Sequence, residues 1–159
     1  MAHMEFTLRP AAAGDEEFLA QLYGDVRYLE FAILALPPEA FATLMQMQYR
    51  AQRLGYQNSY PNAQHSIIWV GETRVGRILV DYAATSVLLV DIALLTAARN
   101  HGIGTAILQA LQAEAHKQNL PLRLHVRFGN RALQLYQRLG FRQTGETATH
   151  LEMELPPAS

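Results

Sequence analysis

The apolar positions of this chain change period along its length, and the changes mark out its elements. Glu5-Phe-Thr-Leu-Arg9 alternates as a first strand does and is closed by Pro10. From Gly14-Asp15-Glu16-Glu17 the spacing turns helical. Phe18, Leu19, Leu22 and Tyr23 fall on one face, and the acidic first turn suits the positive end of the helix dipole. Pro37-Pro38-Glu39 opens a second helix, with Phe41, Leu44, Met45, Gln48 and Tyr49 on one side, running towards Leu54. Between the two, Arg27 to Leu36 keeps no clear period and reads as irregular, with room for a helical turn.

After Gln64 the texture becomes that of a sheet. His65 to Val70, Thr73 to Val80 and Ser86 to Leu95 are rich in β-branched and apolar residues. Gly71-Glu72 and Ala83-Ala84 separate them, which predicts an antiparallel meander. The third run is almost continuously apolar, as a central strand covered on both faces would be. Ile103 to Gln118 is a helix with Ile103, Ile107, Leu108 and Leu111 as its inner stripe. Pro121 to Val126 is a strand, and Asn130 to Leu139 a helix stopped by Gly140. Asparagine at position 130 suits an N-cap. Gly145 divides two final strands, the last from Ala148 to Leu155. The sum is one α+β domain over residues 4–159, preceded by Met1-Ala-His3, which has the form of an expression-vector remnant.

Composition narrows the chemistry. Of 159 residues half are apolar and 17% charged, with a net charge of −1, so no bulk field draws the chain to nucleic acid or anionic membrane. The absence of cysteine excludes disulfides, thiolate catalysis and cysteine-held metals. Six histidines without an H-x-x-x-H pair give no reason to expect a metal. No apolar run nears the ~20 residues of a membrane span and no signal peptide opens the chain, which points to the cytoplasm.

The segment from Asp91 to Leu108 carries the most chemistry. An apolar strand enters a polar turn holding Gly102 and Gly104 and passes straight into a helix. Such a turn aims several backbone N–H groups and a helix dipole at one spot, where an anion binds and a pyrophosphate fits best. The plainer reading, that the glycines only permit a tight connection, stays open. A dinucleotide fingerprint fails because position 107 is Ile, and a P-loop fails at Gly104-Thr105-Ala106.

Arg99-Asn100-His101-Gly102-Ile103-Gly104 resembles the Arg/Gln-x-x-Gly-x-Gly/Ala turn of the GNAT acyltransferases. Some thirty residues on, Asn130-Arg-Ala132-Leu-Gln-Leu-Tyr136-Gln-Arg-Leu139-Gly140-Phe141 is similar to that family's closing Asn…Ala…Leu-Tyr-x-x-Leu-Gly-Phe segment, with one residue fewer before the tyrosine than is common. The element order from Glu5 to Leu155 matches as well. The resemblance implies a mixed, mostly antiparallel sheet with splayed central strands, flanked by about four helices. The strand of Asp91 to Leu95 would be one arm and Leu122 to Val126 the other. Parting strands leaves backbone groups unpaired unless a ligand completes the ladder. The pantetheine arm of acetyl-CoA would do so along Ile92, Ala93 and Leu94. Backbone amides of Arg99, Asn100, His101, Gly102, Ile103, Gly104 and Thr105 would hold the pyrophosphate, with Arg99 and Arg138 adding charge and Asn130 and Ala132 further contacts.

The same resemblance makes Tyr136 the general acid for the departing thiolate, a contribution of ~10²–10⁴-fold. For the base, His125 shares a strand face with Arg123 and Arg127, and imidazole as a group titrates near neutrality. A half-exposed polar residue is an equally good account of it. Asp91 is second choice, since an acid within an apolar strand must find a partner. The N–H of Ile92 is a candidate to steady the acyl oxygen. Leu88 stands where some histone-directed relatives carry a glutamate.

The acceptor wall would come from the N-terminal helices and the loop after them, through Tyr28, Glu30, Tyr56 and Tyr60, near Tyr49, Arg50, Arg53 and His65. Alternatively these arginines sit in solvent and the tyrosines tuck against the sheet. No acidic cluster prepares a site for a polycation. The implied activity is transfer of the acetyl group of acetyl-CoA to a primary amine of a small molecule or peptide. A CoA-binding module without turnover and a different acyl group are the alternatives. A homodimer through the last strand, from Ala148, is compatible with the sequence, as is a covered edge.

Overall fold

Strands that bury residues on both faces require a layer on each side, and the helices supply them. A computed structural model describes residues 5–157; Met1-Ala-His3, expected above to be a vector remnant, lies outside the described residues. In chain order the strands are β1 (Thr7–Pro10), β2 (Gln64–Val70), β3 (Thr73–Tyr82), β4 (Val87–Leu94), β5 (Leu122–Arg127), β6 (Arg142–Glu146) and β7 (His150–Leu155). They form one sheet in the order β1-β2-β3-β4-β5-β7-β6. Every neighbouring pair is antiparallel except β4 and β5, which run parallel.

The helices are α1 (Glu16–Phe31), α2 (Pro38–Ser59), α3 (Ile103–Lys117) and α4 (Ala132–Arg138). On one face Phe18, Leu19 and Leu22 of α1 and Tyr49 of α2 pack over Ile67, with Trp69 and Ala93 against them. On the other, Ile103, Ile107 and Leu111 of α3 and Tyr136 of α4 close over Ile78, Leu89, Leu124 and Met153. Each such side chain contributes roughly 1.5–3 kcal/mol of burial, so the outer layers hold the sheet's shape.

The local departures from the sequence pattern have physical causes. The segment read as irregular from Arg27 begins inside α1, which runs on to Phe31; a 3-10 turn, Ala32–Leu34, follows and ends at Ala35 in the left-handed region. Pro10 belongs to β1, because β1 is an edge strand whose missing N–H breaks no ladder. The last strand is not an edge. β7 lies between β5 and β6, which leaves β6 exposed instead. Gly145 does not divide the two but lies in β6, where the pairing slips between Gln143 and Gly145. α4 starts at Ala132, with Asn130 Oδ1 accepting the Ala132 N–H at 2.8 Å. Asn130 thus acts as a capping side chain, two residues ahead of the helix.

The feature that shapes the site is a bulge. β3 pairs Leu79 with Asp91 but Val80 with Leu89, so Val90 is an extra residue in β4. A bulge bends its strand, and here the bend turns β4 away from β5. Val87, Leu88 and Leu89 pair with Leu122, Arg123 and Leu124, and pairing stops there. Beyond that point each strand keeps its outer partner: β4 stays on β3 to Leu94, and β5 on β7 to Arg127.

Candidate active site

The parted strands open into a cleft of about 1000 Å³ lined by the inner edges of β4 and β5. From Val90 to Leu94 the β5-facing edge of β4 has no strand partner, so its backbone donors and acceptors face this space. Ile92, Ala93 and Leu94 all line it. The chain then leaves through a 3-10 turn, Thr96–Ala98, clamped to α1: one Asp25 carboxylate oxygen accepts from the Thr96 N–H at 2.7 Å and its hydroxyl at 2.9 Å.

Next comes the glycine turn. Asn100 and Gly102 both take positive φ, 64° and 80°, a conformation glycine adopts without cost and asparagine more readily than most. α3 begins at Ile103 with no side-chain cap. The first N–H groups of a helix have no partner within it, and Ile103, Gly104 and Thr105 line the cleft at this end. Arg99 and Asn100 line it too, although Arg99 Nε also reaches the Leu94 carbonyl at 3.4 Å. His101 is exposed and does not border the cleft. Across the gap stand Asn130, Ala132 and Arg138.

Tyr136 enters from α4, buried to 7% exposure with its ring edge-on to Phe141 at 5.7 Å. Burial, and secondarily the negative charge of Asp91, pushes its phenol up to about 12. The group therefore keeps its proton. His125 lies on the exposed face of β5, whose Leu122, Leu124 and Val126 point into the core, and it borders the cleft. Asp91 has found its partner: its Oδ2 takes a hydrogen bond from Arg77 Nη2 at 2.5 Å.

Arg77 is a cleft residue that the sequence reading missed. It is only 6% exposed, donates to Gln52 Oε1 at 2.8 Å as well as to Asp91, and lies 5.6 Å from the Tyr56 ring. Its signal in the sequence was weak, because the same strand also carries Arg74 and Asp81.

Of the residues expected on the acceptor wall, Glu30, Tyr56 and Tyr60 border the cleft, joined by Tyr23 and Arg27. Tyr28 does not. It packs edge-on to Phe41 at 5.7 Å beside a separate cavity of about 770 Å³ between α1 and α2, which Arg50 also lines. The helical period explains this, since position 28 points away from the face that carries 23, 27 and 30. Arg53 pairs with Glu16 at 2.9 Å, and Glu16 also accepts from the Tyr49 hydroxyl at 3.2 Å. His65 is set deeper, its Nε2 buried without a hydrogen-bond partner.

Among the described residues no three His, Asp or Glu side chains gather as a metal-binding cluster, and no helix is long and apolar enough to cross a membrane. The chain is similar over its length to several solved structures. PaiA N-acetyltransferase from Thermoplasma acidophilum, solved in complex with coenzyme A, matches with a TM-score of 0.72 at 18% identity, over 96% of this chain and 99% of that one. The protein described as histone acetyltransferase HPA2 and related acetyltransferase, from Corynebacterium glutamicum, matches at 0.66 and 23% identity, covering 98% of each. The ribosomal-protein-S18-alanine N-acetyltransferase of Escherichia coli matches at 0.61 and 20%, over 98% of this chain and 96% of that. At these identities the likeness shows the fold. No curated protein is significantly similar in sequence. Residues 63–143, just over half of the chain, match the family model for an acetyltransferase (GNAT) domain. That segment contains both the parted strands and the glycine turn, and the chain belongs to the GNAT acetyltransferase family.

Proposed function

We propose that the protein transfers the acetyl group of acetyl-CoA to a primary amine. The observation that carries this reading is the opening of β4 from β5 beyond Leu89 and Leu124, directly beside the uncapped start of α3. Unpaired strand edge and free helix amides are the complements of a chain of amides ending in a pyrophosphate. Ile92, Ala93 and Leu94 are the residues to pair with the pantetheine arm. Backbone amides from Arg99 to Thr105 are those to hold the pyrophosphate, with Arg99, Arg138 and Asn130 at its border. His101 would take part through its backbone alone.

The thioester supplies an electrophilic carbonyl carbon and a thiolate leaving group. The neutral amine attacks that carbon, a C–N bond forms, and the C–S bond breaks. The arriving ammonium loses one proton to solvent before the attack, and His125, on the cleft side of β5, takes the second from nitrogen as the C–N bond forms. The Ile92 N–H, beyond the last β4–β5 pair, would steady charge on the acyl oxygen. Tyr136 donates a hydrogen bond to the departing sulfur. With its phenol at about 12 and a simple thiol near 8.5, outright transfer runs uphill by about 3.5 pK units, so donation rather than surrender of the proton is its part. Asp91, held by Arg77, keeps an anion where an ammonium arrives.

Isothermal titration of acetyl-CoA, followed by thiol release with an amine panel, tests the reading. Binding with micromolar affinity and amine-dependent thiol release are expected. No binding heat from folded protein overturns it, and binding without release makes the protein a CoA-binding module.

A further inference from the structure

The acceptor half of the cleft contains an unusual arginine. Arg77 is buried, yet its two recorded hydrogen bonds, to Asp91 and Gln52, both leave from Nη2. A guanidinium has five N–H donors in a fixed fork. Those on Nε and Nη1 have no acceptor among the described residues. Neither nitrogen is sealed in, since His65 Nε2 is the one buried polar side-chain atom left without a partner among them. Arg77 borders the cleft. Asp91 and Gln52 fix the other side, which removes most of the entropy cost of ordering an arginine when a ligand docks.

The surroundings select the ligand. Arg27 of α1 stacks on Tyr23 at 4.4 Å, borders the same cleft, and pairs with no carboxylate among the described residues. Glu30 and Asp91 supply two negative charges beside these two arginines, while Arg99, Arg127, Arg131 and Arg138 also line the cleft. A polycation would meet Arg27 and Arg77, and a polyanion Glu30 and Asp91. A molecule carrying one charge of each sign matches both pairs. Tyr56 and Tyr60, with ring centroids 6.5 Å apart, also line the cleft.

We infer that the acceptor is a compact amine bearing a carboxylate, which docks on Nε and Nη1 of Arg77 while its ammonium faces Asp91 and Glu30. The inference rests on the acyltransferase reading above. A carboxylate is favoured over a single carbonyl because an arginine fork receives two oxygens at once.

Thiol release from acetyl-CoA, measured with matched acceptors, tests this: free α- and ω-amino acids beside their carboxamides and short peptides. The best free acid should exceed its carboxamide by about 10²-fold in kcat/KM, because the amide leaves buried donors unmatched. Arg77→Gln should raise KM for the acid about 10²-fold more than it raises KM for the carboxamide, and leave acetyl-CoA affinity by calorimetry as in the wild type. Arg77→Gln also strips Asp91 of its partner, so Arg27→Gln, on the half-buried face of α1, is the second variant and should narrow the preference about tenfold. Equal turnover of acid and amide, faster turnover of amide or peptide, or no turnover of any acid by protein that binds acetyl-CoA overturns the inference and leaves the acyl-CoA reading standing. A preference unchanged in both variants overturns Arg77 as its anchor. Protein that does not bind acetyl-CoA fails both readings.

Discussion

Gly76 on β3 and Ala93 on β4 approach so closely that a Cβ on Gly76 would run into the Ala93 carbonyl and the Leu94 side chain. That contact presses β3 against the free arm of β4, on the side away from the cleft. Gly76→Ala must push Ala93 aside, because backbone cannot rotate out of the way as a side-chain tip can. Overpacking of this kind costs about 1–3 kcal/mol. A lower melting temperature and weaker acetyl-CoA binding are expected together. Gly14→Ala, where a Cβ meets open space, is the control. Unchanged stability and affinity in Gly76→Ala would show that the arm of β4 yields freely.

Tyr136→Phe separates packing from chemistry. The ring keeps its edge-on contact with Phe141, and no hydrogen bond to the hydroxyl occurs among the described residues, so stability should hold within about 0.5 kcal/mol. If the hydroxyl steadies the leaving sulfur, kcat falls by about 10²-fold while acetyl-CoA affinity stays the same. Wild-type kcat in the variant would return Tyr136 to the core as a packing residue.

The Arg77–Asp91 pair makes a thermodynamic prediction that is independent of turnover. Asp91→Asn leaves a buried guanidinium facing a neutral amide, a loss of about 2–4 kcal/mol. Replacing both residues, Arg77→Met with Asp91→Asn, removes the stranded charge and should recover most of that loss. Urea unfolding of the two single variants and the double variant closes the cycle. Strict additivity of the two single losses would mean that the pair is not coupled.

Much of this architecture was legible because local pattern and tertiary demand agree. The inner stripe Ile103, Ile107, Leu108 and Leu111 is buried as its spacing requires, and β5 alternates buried and exposed residues from Leu122 to Arg127. The glycine turn and the tyrosine of the closing motif face one cleft. What escaped depends on non-local partners. A strand's place in a sheet is set by its neighbours, so the last strand of the chain lies inside the sheet, between β5 and β6. The bulge at Val90 leaves no mark in an apolar run, since an extra valine looks like any other strand residue. Tyr28 looked like an acceptor-wall residue because segment membership says nothing of helix face; Tyr56 and Tyr60 border the cleft, and Tyr28 does not. Arg77 stood out from the other charges of its strand only once its partner Asp91 lay next to it.

His65 gives the protein a titration signature of its own. Its Nε2 is buried without a hydrogen bond, and burial, helped by the positive charge of Arg77, pulls the imidazole down to about 4. Arg53 acts in the same direction, while Glu16 and Asp91 oppose. In the unfolded chain the ring titrates near 6.5, so between those values the unfolded state binds the proton and the folded state does not. Stability is therefore complete above about pH 6.5, falls as the pH drops towards 4, and levels off below it. The depth of the fall is on the order of 1–3 kcal/mol after allowance for partial screening. Carboxylates add a slope of their own near pH 4, which is why the comparison needs a variant. His65→Leu removes the proton acceptor and places an apolar side chain opposite Leu79, its register partner on β3. Between pH 7 and 4.5 the urea midpoint of the wild type should drop clearly further than that of His65→Leu. Parallel curves for the two proteins would mean that the ring charges as readily in the folded chain as in the unfolded one.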